Sequence, residues 1–99
     1  MARVVFTPTA AGHLRRLRAY IAQDSPDAAR AMVQRIRADA ARLGQFPEMG
    51  RIVPEYREPA IREVIVGPYR VVYRFRADRN VVQVIGVIHG SRVLPLPAD

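Results

Sequence analysis

The stretch that decides the fold reads Ile61-Arg-Glu-Val-Ile-Val-Gly-Pro-Tyr-Arg-Val-Val-Tyr-Arg-Phe-Arg76, followed after four residues by Val81-Val-Gln-Val-Ile-Gly-Val-Ile-His-Gly-Ser-Arg92. Runs of β-branched and aromatic residues between turn-forming residues are typical of strands. Gly67-Pro68 and Ala77–Asn80 are the two turns. The sequence therefore predicts a three-stranded antiparallel meander.

The middle strand places arginines at alternate positions, and alternate positions share one face of a sheet. A four-residue turn sets the register with the last strand. The predicted pairs are Arg76 with Val81, Arg74 with Gln83, Val72 with Ile85 and Arg70 with Val87. On this register, Arg70, Glu63 and His89 share a cationic face. The opposite face, which the helices should cover, holds Tyr69, Val71, Tyr73 and Phe75. A slip of one residue would reverse these assignments.

The N-terminal half predicts a strand, Arg3–Phe6, and two helices. Thr7-Pro8 supplies a capping hydroxyl and the proline favoured at the first helical position, so a helix is predicted from about Pro8 to Gln23. Ser25-Pro26-Asp27 repeats this signal, and helical spacing of apolar residues continues to Leu43, before Gly44. The predicted fold class is α+β. It has an N-terminal strand, an antiparallel helical hairpin and the meander, with the helices packed on one face of a small sheet.

The remaining segments predict irregular structure. Residues 45–60 contain three prolines and form a surface connection, in which Arg51–Val53 could add a short edge strand. The tail from about 93 to 99 has two prolines and cannot be a helix interior. We expect one domain over residues 1–99, since nothing in the composition marks a boundary.

Charge and composition bound the function. The net charge is +7, and all sixteen basic residues are arginine, which binds phosphates and carboxylates through a planar fork. The excess favours a polyanion or an acidic protein as partner, whereas a GC-rich genome explains the missing lysine. The absence of cysteine excludes disulfides and cysteine–zinc sites. No apolar run approaches the roughly 20 residues of a membrane span, and no signal peptide is evident. We expect a cytoplasmic protein without membrane association, cofactor or metal.

Two interpretations of the cationic face stay open from the residues alone. In one, it is a phosphate-handling cleft in which Arg70 stabilises charge, His89 is an acid or base and a glutamate is the base. In the other, it is a solvated face with arginine–glutamate pairs across strands. A central arginine needs a partner if it is buried. His13, on the first helix, is expected at the surface.

Four segments together resemble the RelE/ParE superfamily of bacterial type II toxins: Leu43-Gly-Gln-Phe-Pro-Glu-Met-Gly-Arg51, Ile61-Arg-Glu-Val64, Tyr69-Arg-Val-Val-Tyr73 and Val87-Ile-His-Gly-Ser-Arg92. The resemblance covers nearly the whole chain. It implies a growth-inhibiting toxin held inactive by an acidic, partly disordered antitoxin encoded beside it, which also accounts for the positive charge.

The superfamily divides by mechanism. RelE-like members cleave messenger RNA on the ribosome, and the resemblance implies Arg70 as the phosphate-stabilising arginine, His89 as the catalytic histidine and Glu55 or Glu63 as the general base. ParE-like members act on DNA gyrase and need no nuclease site. The missing lysines, the missing C-terminal helix with its catalytic tyrosine and the Phe46–Gly50 connection favour a ParE-like toxin. A non-toxic module that only binds an antitoxin is a third possibility.

The antitoxin is expected to place apolar side chains along the toxin and carboxylates against its arginines. The expected docking surfaces are a sheet edge and the outer surface of Pro8–Leu43. The arginines predicted to bind the partner are Arg15, Arg18, Arg74, Arg76 and Arg92.

Overall fold

A computed structural model describes residues 1–91, so Arg92 and the predicted tail lie outside the described residues. Two helices pack against one face of a five-stranded sheet, which confirms the predicted α+β class. The elements are β1 (Arg3–Phe6), α1 (Pro8–Ala22), α2 (Pro26–Arg42), β2 (Arg51–Ile52), β3 (Ile61–Val66), β4 (Tyr69–Arg76) and β5 (Val81–His89). Within residues 1–91, no helix is long and apolar enough to cross a membrane.

Both helices begin as the sequence predicts. The Thr7 hydroxyl accepts from the amide of Ala10 at 3.2 Å, and Ser25 does the same for Ala28 at 3.1 Å, so each caps its helix. Gly44 follows the end of α2, but close approach rather than a left-handed turn requires glycine there. A Cβ at this position would lie 2.6 Å from the backbone oxygen of Ala2.

The sheet has the order β1-β5-β4-β3-β2. β3, β4 and β5 form the predicted antiparallel meander, and the Gly67 turn, with φ 58°, pairs Ile65 with Arg70 as expected. The predicted edge strand is present as β2, which pairs with β3. β1 lies parallel to β5 and forms the other edge, a position that the sequence did not predict. Within residues 1–91, one edge of β1 therefore has no strand partner.

The predicted register between β4 and β5 holds only over half of their length. Arg76 pairs with Val81 and Tyr73 with Val84, but a β-bulge then shifts the pairing by one residue. Val72 consequently pairs with Gly86 rather than Ile85, and Arg70 with Ile88 rather than Val87, so these two predicted pairs were wrong. Because side chains alternate between faces, the bulge moves Val87 and His89 to the helix side of the sheet.

His13 makes a structural contact with β5, which corrects its assignment to the surface. β1 pairs with β5 only as far as Val84, so the edge of β5 beyond that point lies against α1. There the Nδ1 of half-buried His13 accepts from the amide of Val87 at 3.1 Å. An amide that β1 leaves unpaired is thereby satisfied.

Apolar side chains are buried on both faces of the sheet. The main core lies beneath the helices, where Leu14, Ile36 and Leu43 pack against the sheet face that carries Tyr73. A smaller core on the opposite face consists of Val53, Ile61, Val72 and Ile88, with Tyr56 and Ile85 at its margin. The face predicted to be cationic is therefore largely covered, and the connection between β2 and β3 contributes Val53 and Tyr56 to that cover.

Candidate functional site

Arg70 is the centre of an ion network on the covered face. Its Nε donates to the Oε1 of Glu63 at 2.6 Å, and its two terminal nitrogens donate to the two oxygens of Glu55, each at 2.8 Å. The second oxygen of Glu63 accepts from the Nε of Arg51 at 2.6 Å. The structure thus brings together three of the predicted nuclease residues, Arg70, Glu63 and Glu55, and each carboxylate binds an arginine.

Burial differs sharply across this network. The side chain of Glu63 is fully buried and that of Arg70 is 8% exposed, whereas those of Glu55 and Arg51 are 39% and 63% exposed. Glu63 lies on β3, Arg70 lies on β4, and Glu55 lies in the connection between β2 and β3. The bidentate pair with Glu55 therefore fastens this connection, residues 53–60, across the sheet; we call it the strap.

The hydrogen bonds with Arg70 hold the pKa of Glu55 at about 2. The same bonds, first with Glu55 and then with Glu63, raise the pKa of Arg70 above its ordinary value. Both residues consequently stay charged at every physiological pH, and neither Glu55 nor Arg70 can exchange a proton near neutrality in this arrangement. A general base needs a pKa nearer to the working pH.

His89 does not share a face with Arg70, so the predicted grouping of the two was wrong. It pairs with Tyr69 across the strands, and the two rings meet edge to face with their centres 6.0 Å apart. Its Nδ1 lies 2.8 Å from the hydroxyl of Ser91, and the residue is exposed. The bulge explains why His89 lies on the helix side of the sheet, because it adds one residue to β5 between the turn and His89.

The arginines predicted to bind a partner fall into two sets. Arg74 pairs with Glu58 at 3.3 Å, and Arg76 donates to Gln83 at the same distance, so both already have contacts. Arg15 and Arg18 are exposed on α1, and neither forms an ion pair within residues 1–91. Arg92 lies outside the described residues. The role of all five in binding stays a prediction.

Sequence reasoning missed the structural role of Tyr73. Its buried hydroxyl donates to the carbonyl oxygen of Pro47 at 2.7 Å and accepts from the amide of Gly50 at 3.0 Å. A Cβ at Gly50 would lie 2.5 Å from the backbone oxygen of Glu63, so glycine is required by this close approach. The Phe46–Gly50 connection is therefore fixed by packing, and a buried tyrosine's need for a hydrogen-bond partner was the signal available in the sequence.

The sequence matches the profile of one protein family over residues 4–94, described as the ParE toxin of the type II toxin–antitoxin system parDE. The chain belongs to the ParE toxin family. This ParE-family toxin is also 36% identical over 93 residues to a curated protein named Toxin RelE2 from Caulobacter vibrioides, covering 94% of this chain and 100% of that protein. The family assignment confirms the resemblance inferred from the four sequence segments.

Solved structures agree with the fold of this ParE-family toxin. A structure of the chromosomal ParDE toxin–antitoxin system from P. aeruginosa has a TM-score of 0.72 at 22% identity, covering 90% of this chain and 96% of that chain. The RelBE2 toxin–antitoxin complex from Mycobacterium tuberculosis has a TM-score of 0.59 at 26% identity, covering 89% and 96%. Both ParE and RelE names occur among the similar proteins. Family membership therefore identifies the chain as the toxin component of a type II toxin–antitoxin system.

Proposed function

We propose that this toxin arrests bacterial growth by inhibiting DNA gyrase and that a cognate acidic antitoxin, encoded beside it, neutralises it. We place its action in the cytoplasm, where gyrase works. The mechanism requires no catalytic residue, metal or cofactor of the toxin's own. It requires a surface that binds the target and a surface that the antitoxin can cover.

The closed network around Arg70 is the observation that favours gyrase over RNA. To stabilise a pentavalent phosphate, a guanidinium must donate to the phosphate oxygens, and such donors work when they are already aimed at the developing charge. Here the Nε and both terminal nitrogens of Arg70 donate to carboxylates instead. A phosphate would have to displace Glu55 from Arg70. It would then lie near the negative charges of Glu55 and Glu63 instead of meeting an unpaired guanidinium.

The position of His89 supports the same choice. A general acid or base must reach the reacting oxygen within hydrogen-bond distance while the arginine holds the phosphate. The bulge places His89 beside Tyr69, on the face opposite to Arg70. RNA cleavage by these two residues would require the end of β5 to change its register with β4, which is a large rearrangement because β4 pairs with β5 as far as His89.

A direct comparison of the two targets tests this proposal. Purified toxin is added to DNA gyrase with relaxed plasmid, and in parallel to translating ribosomes with a labelled messenger RNA. We expect loss of supercoiling and an intact message. Cuts at codon positions together with unaffected supercoiling would overturn the proposal and favour the RelE-like alternative.

Variants separate the two mechanisms further. His89→Ala should inhibit gyrase nearly as well as the original chain, because His89 is exposed and its ring contact with Tyr69 and hydrogen bonds with Ser91 lie at the end of a strand. Under the nuclease alternative the same change should abolish toxicity while antitoxin binding survives. Normal growth despite verified soluble expression of the unaltered chain would indicate the third possibility, a module that binds an antitoxin without being toxic.

A further inference from the structure

Two arginines fold back over a glycine on the outer face of α1. Helical spacing places Gly12 opposite to Leu14 and Leu17, which are buried in the main core. Gly12 is nevertheless buried as well. A Cβ at this position would lie 3.6 and 3.8 Å from the two terminal nitrogens of Arg16 and 3.7 Å from one of Arg15. The two guanidinium groups, which we call the arginine pair, therefore cover the same turn of the helix.

The arginine pair brings two positive charges together without a carboxylate between them. Arg15 and Arg16 are exposed, and neither forms an ion pair within residues 1–91. The helix itself, Pro8–Ala22, contains no acidic residue. Two like charges at short range repel each other, and an anion that accepts from both relieves the repulsion. A phosphate is suited to this, because two of its oxygens can each accept from one guanidinium.

Gly12 leaves space for such a ligand. The arginine nitrogens would be in ordinary van der Waals contact with a Cβ at this position, so their packing does not require glycine. Glycine is also a poor residue for the interior of a helix. Its effect here is that no side chain stands between the two guanidinium groups. A phosphate can therefore approach the helix surface between them.

An exposed aromatic ring lies one helical turn further along this face. Tyr20 is 71% exposed and takes part in no ring–ring contact within residues 1–91. It follows Arg16 by four residues, and side chains at this spacing are neighbours with Cβ atoms about 5–6 Å apart. This separation suits one nucleotide, whose base lies beside its phosphate. An unpaired base can stack on a tyrosine ring whatever its identity, whereas the bases of a duplex are already stacked on each other.

We propose that the outer face of α1 binds single-stranded nucleic acid, with a phosphate between Arg15 and Arg16 and the adjacent base stacked on Tyr20. DNA and RNA strands both supply a phosphate and a base. An acidic peptide would neutralise the arginine pair but would supply no base for the Tyr20 ring. The proposal goes beyond inhibition of gyrase and does not rest on it, because the contact is made by the toxin's own surface.

The charge part of the site is tested with the full-length toxin and fluorescein-labelled oligodeoxythymidine. Fluorescence anisotropy measures binding over a range of salt concentrations. Arg15→Gln/Arg16→Gln should weaken binding about tenfold or more and lower the slope of log affinity against log salt by about 0.7, the value for one phosphate contact on a single strand. The matched control is Arg76→Gln/Arg79→Gln, which removes the same charge beside the turn between β4 and β5. It should weaken binding by about threefold at most, because salt screens distant charges.

Two charge-neutral changes test the ring and the space beside it. Tyr20→Ala should weaken binding about tenfold with no change in the salt slope, because stacking releases no counterions. Tyr20→Phe keeps the ring and should bind as the original chain does. Gly12→Leu fills the space between the guanidinium groups and should weaken binding about fivefold or more. Thermal unfolding of each variant confirms that it is folded.

Further ligands distinguish the source of the phosphate and the class of partner. Oligouridine should depend on Arg15, Arg16 and Tyr20 in the same way, and whichever single strand binds more tightly identifies DNA or RNA as the source. A DNA duplex of equal length should bind equally well to the original chain and to Tyr20→Ala. Equal weakening by the site and control double variants, or unchanged binding of single strands by Tyr20→Ala, would overturn the proposal. Displacement of the strand by oligoglutamate as effectively as by unlabelled oligodeoxythymidine of equal charge would also overturn it, in favour of an acidic peptide.

Discussion

Arg70 and the exposed arginines of α1, Arg15 and Arg18, show two uses of the same side chain within one small domain. Arg70 lies in the middle of the sheet, is 8% exposed and donates three hydrogen bonds to two carboxylates. Arg15 and Arg18 are exposed on a helix beside an apolar depression and pair with no carboxylate in residues 1–91. An arginine that is paired with carboxylates inside the fold stabilises the fold, and one that is exposed and unpaired is available to a partner.

The largest loss of stability is expected from Arg70→Met, which removes the buried arginine of this comparison. Glu63 is fully buried, and the change would remove one of its two ion partners within residues 1–91 and leave the exposed Arg51. Removing one partner of a buried ion pair typically costs about 3–5 kcal/mol of unfolding free energy. Chemical denaturation measures the loss, and Arg15→Met is the matched control.

The double variant Arg70→Met/Glu63→Leu sharpens this prediction. If the cost of Arg70→Met comes from the uncompensated charge of Glu63, replacing both residues with apolar side chains should restore most of the lost stability. A double variant as unstable as the single one would show instead that packing of the Arg70 stem dominates.

A smaller effect is expected when the strap is released at its exposed end. Glu55→Gln removes the charge of a carboxylate that is 39% exposed and paired with Arg70, and we expect a loss of about 1 kcal/mol of unfolding free energy. Amide hydrogen exchange should accelerate in residues 53–60 and not in α1. Equal acceleration in both would mean that Glu55 supports the whole domain rather than the strap.

The contact between Glu55 and Arg70 should also make the stability of the folded chain depend on pH in the acidic range. The pKa of Glu55 is about 2 in the folded chain against an ordinary value of 4.5, so the unfolded chain binds the proton first as the pH falls. This contribution to stability is complete above about pH 4.5 and is lost between 4.5 and 2. The difference in stability between the original chain and Glu55→Gln should shrink over that window, and a constant difference would contradict the assignment.

Arg74 provides an intermediate case between the two sets. Its pair with Glu58 spans 3.3 Å with both side chains partly exposed, and such pairs contribute about 0–1 kcal/mol. Arg74→Ala should therefore change the denaturation midpoint only slightly, and high salt should remove the difference. A loss as large as that from Arg70→Met would place Arg74 in the buried network.

The smallest effect on stability is expected from replacing the exposed arginines of the two helices. Arg15→Ala, Arg18→Ala and Arg37→Ala should each change the unfolding free energy by less than about 0.5 kcal/mol, in either direction, because they remove exposed charges. The association rate with the neighbouring protein should lose part of its salt dependence in each variant. A large loss of stability would show that these arginines belong to the fold.

The site was partly predictable from the sequence. Alternation along β4, together with the Gly67-Pro68 turn, placed Arg70 and Glu63 on one face, and the structure confirms that placement. The same reasoning failed for His89 because the bulge shifts the register of β5. A glycine inside a strand pattern, here Gly86, can mark a bulge. The pairing of Glu55 with Arg70 joins residues 15 positions apart through an irregular connection, which no periodicity describes.

The sequence by itself determined the helices, the meander and the family, because capping residues, turn residues and periodic apolar positions act over a few neighbouring residues. Tertiary structure alone decided where β1 joins the sheet, which residues of β5 face the helices and which carboxylates pair with Arg70. Each of these depends on the meeting of segments distant in sequence. Their energies come from burial and from charge separations of a few ångströms, which exist only after the chain has packed.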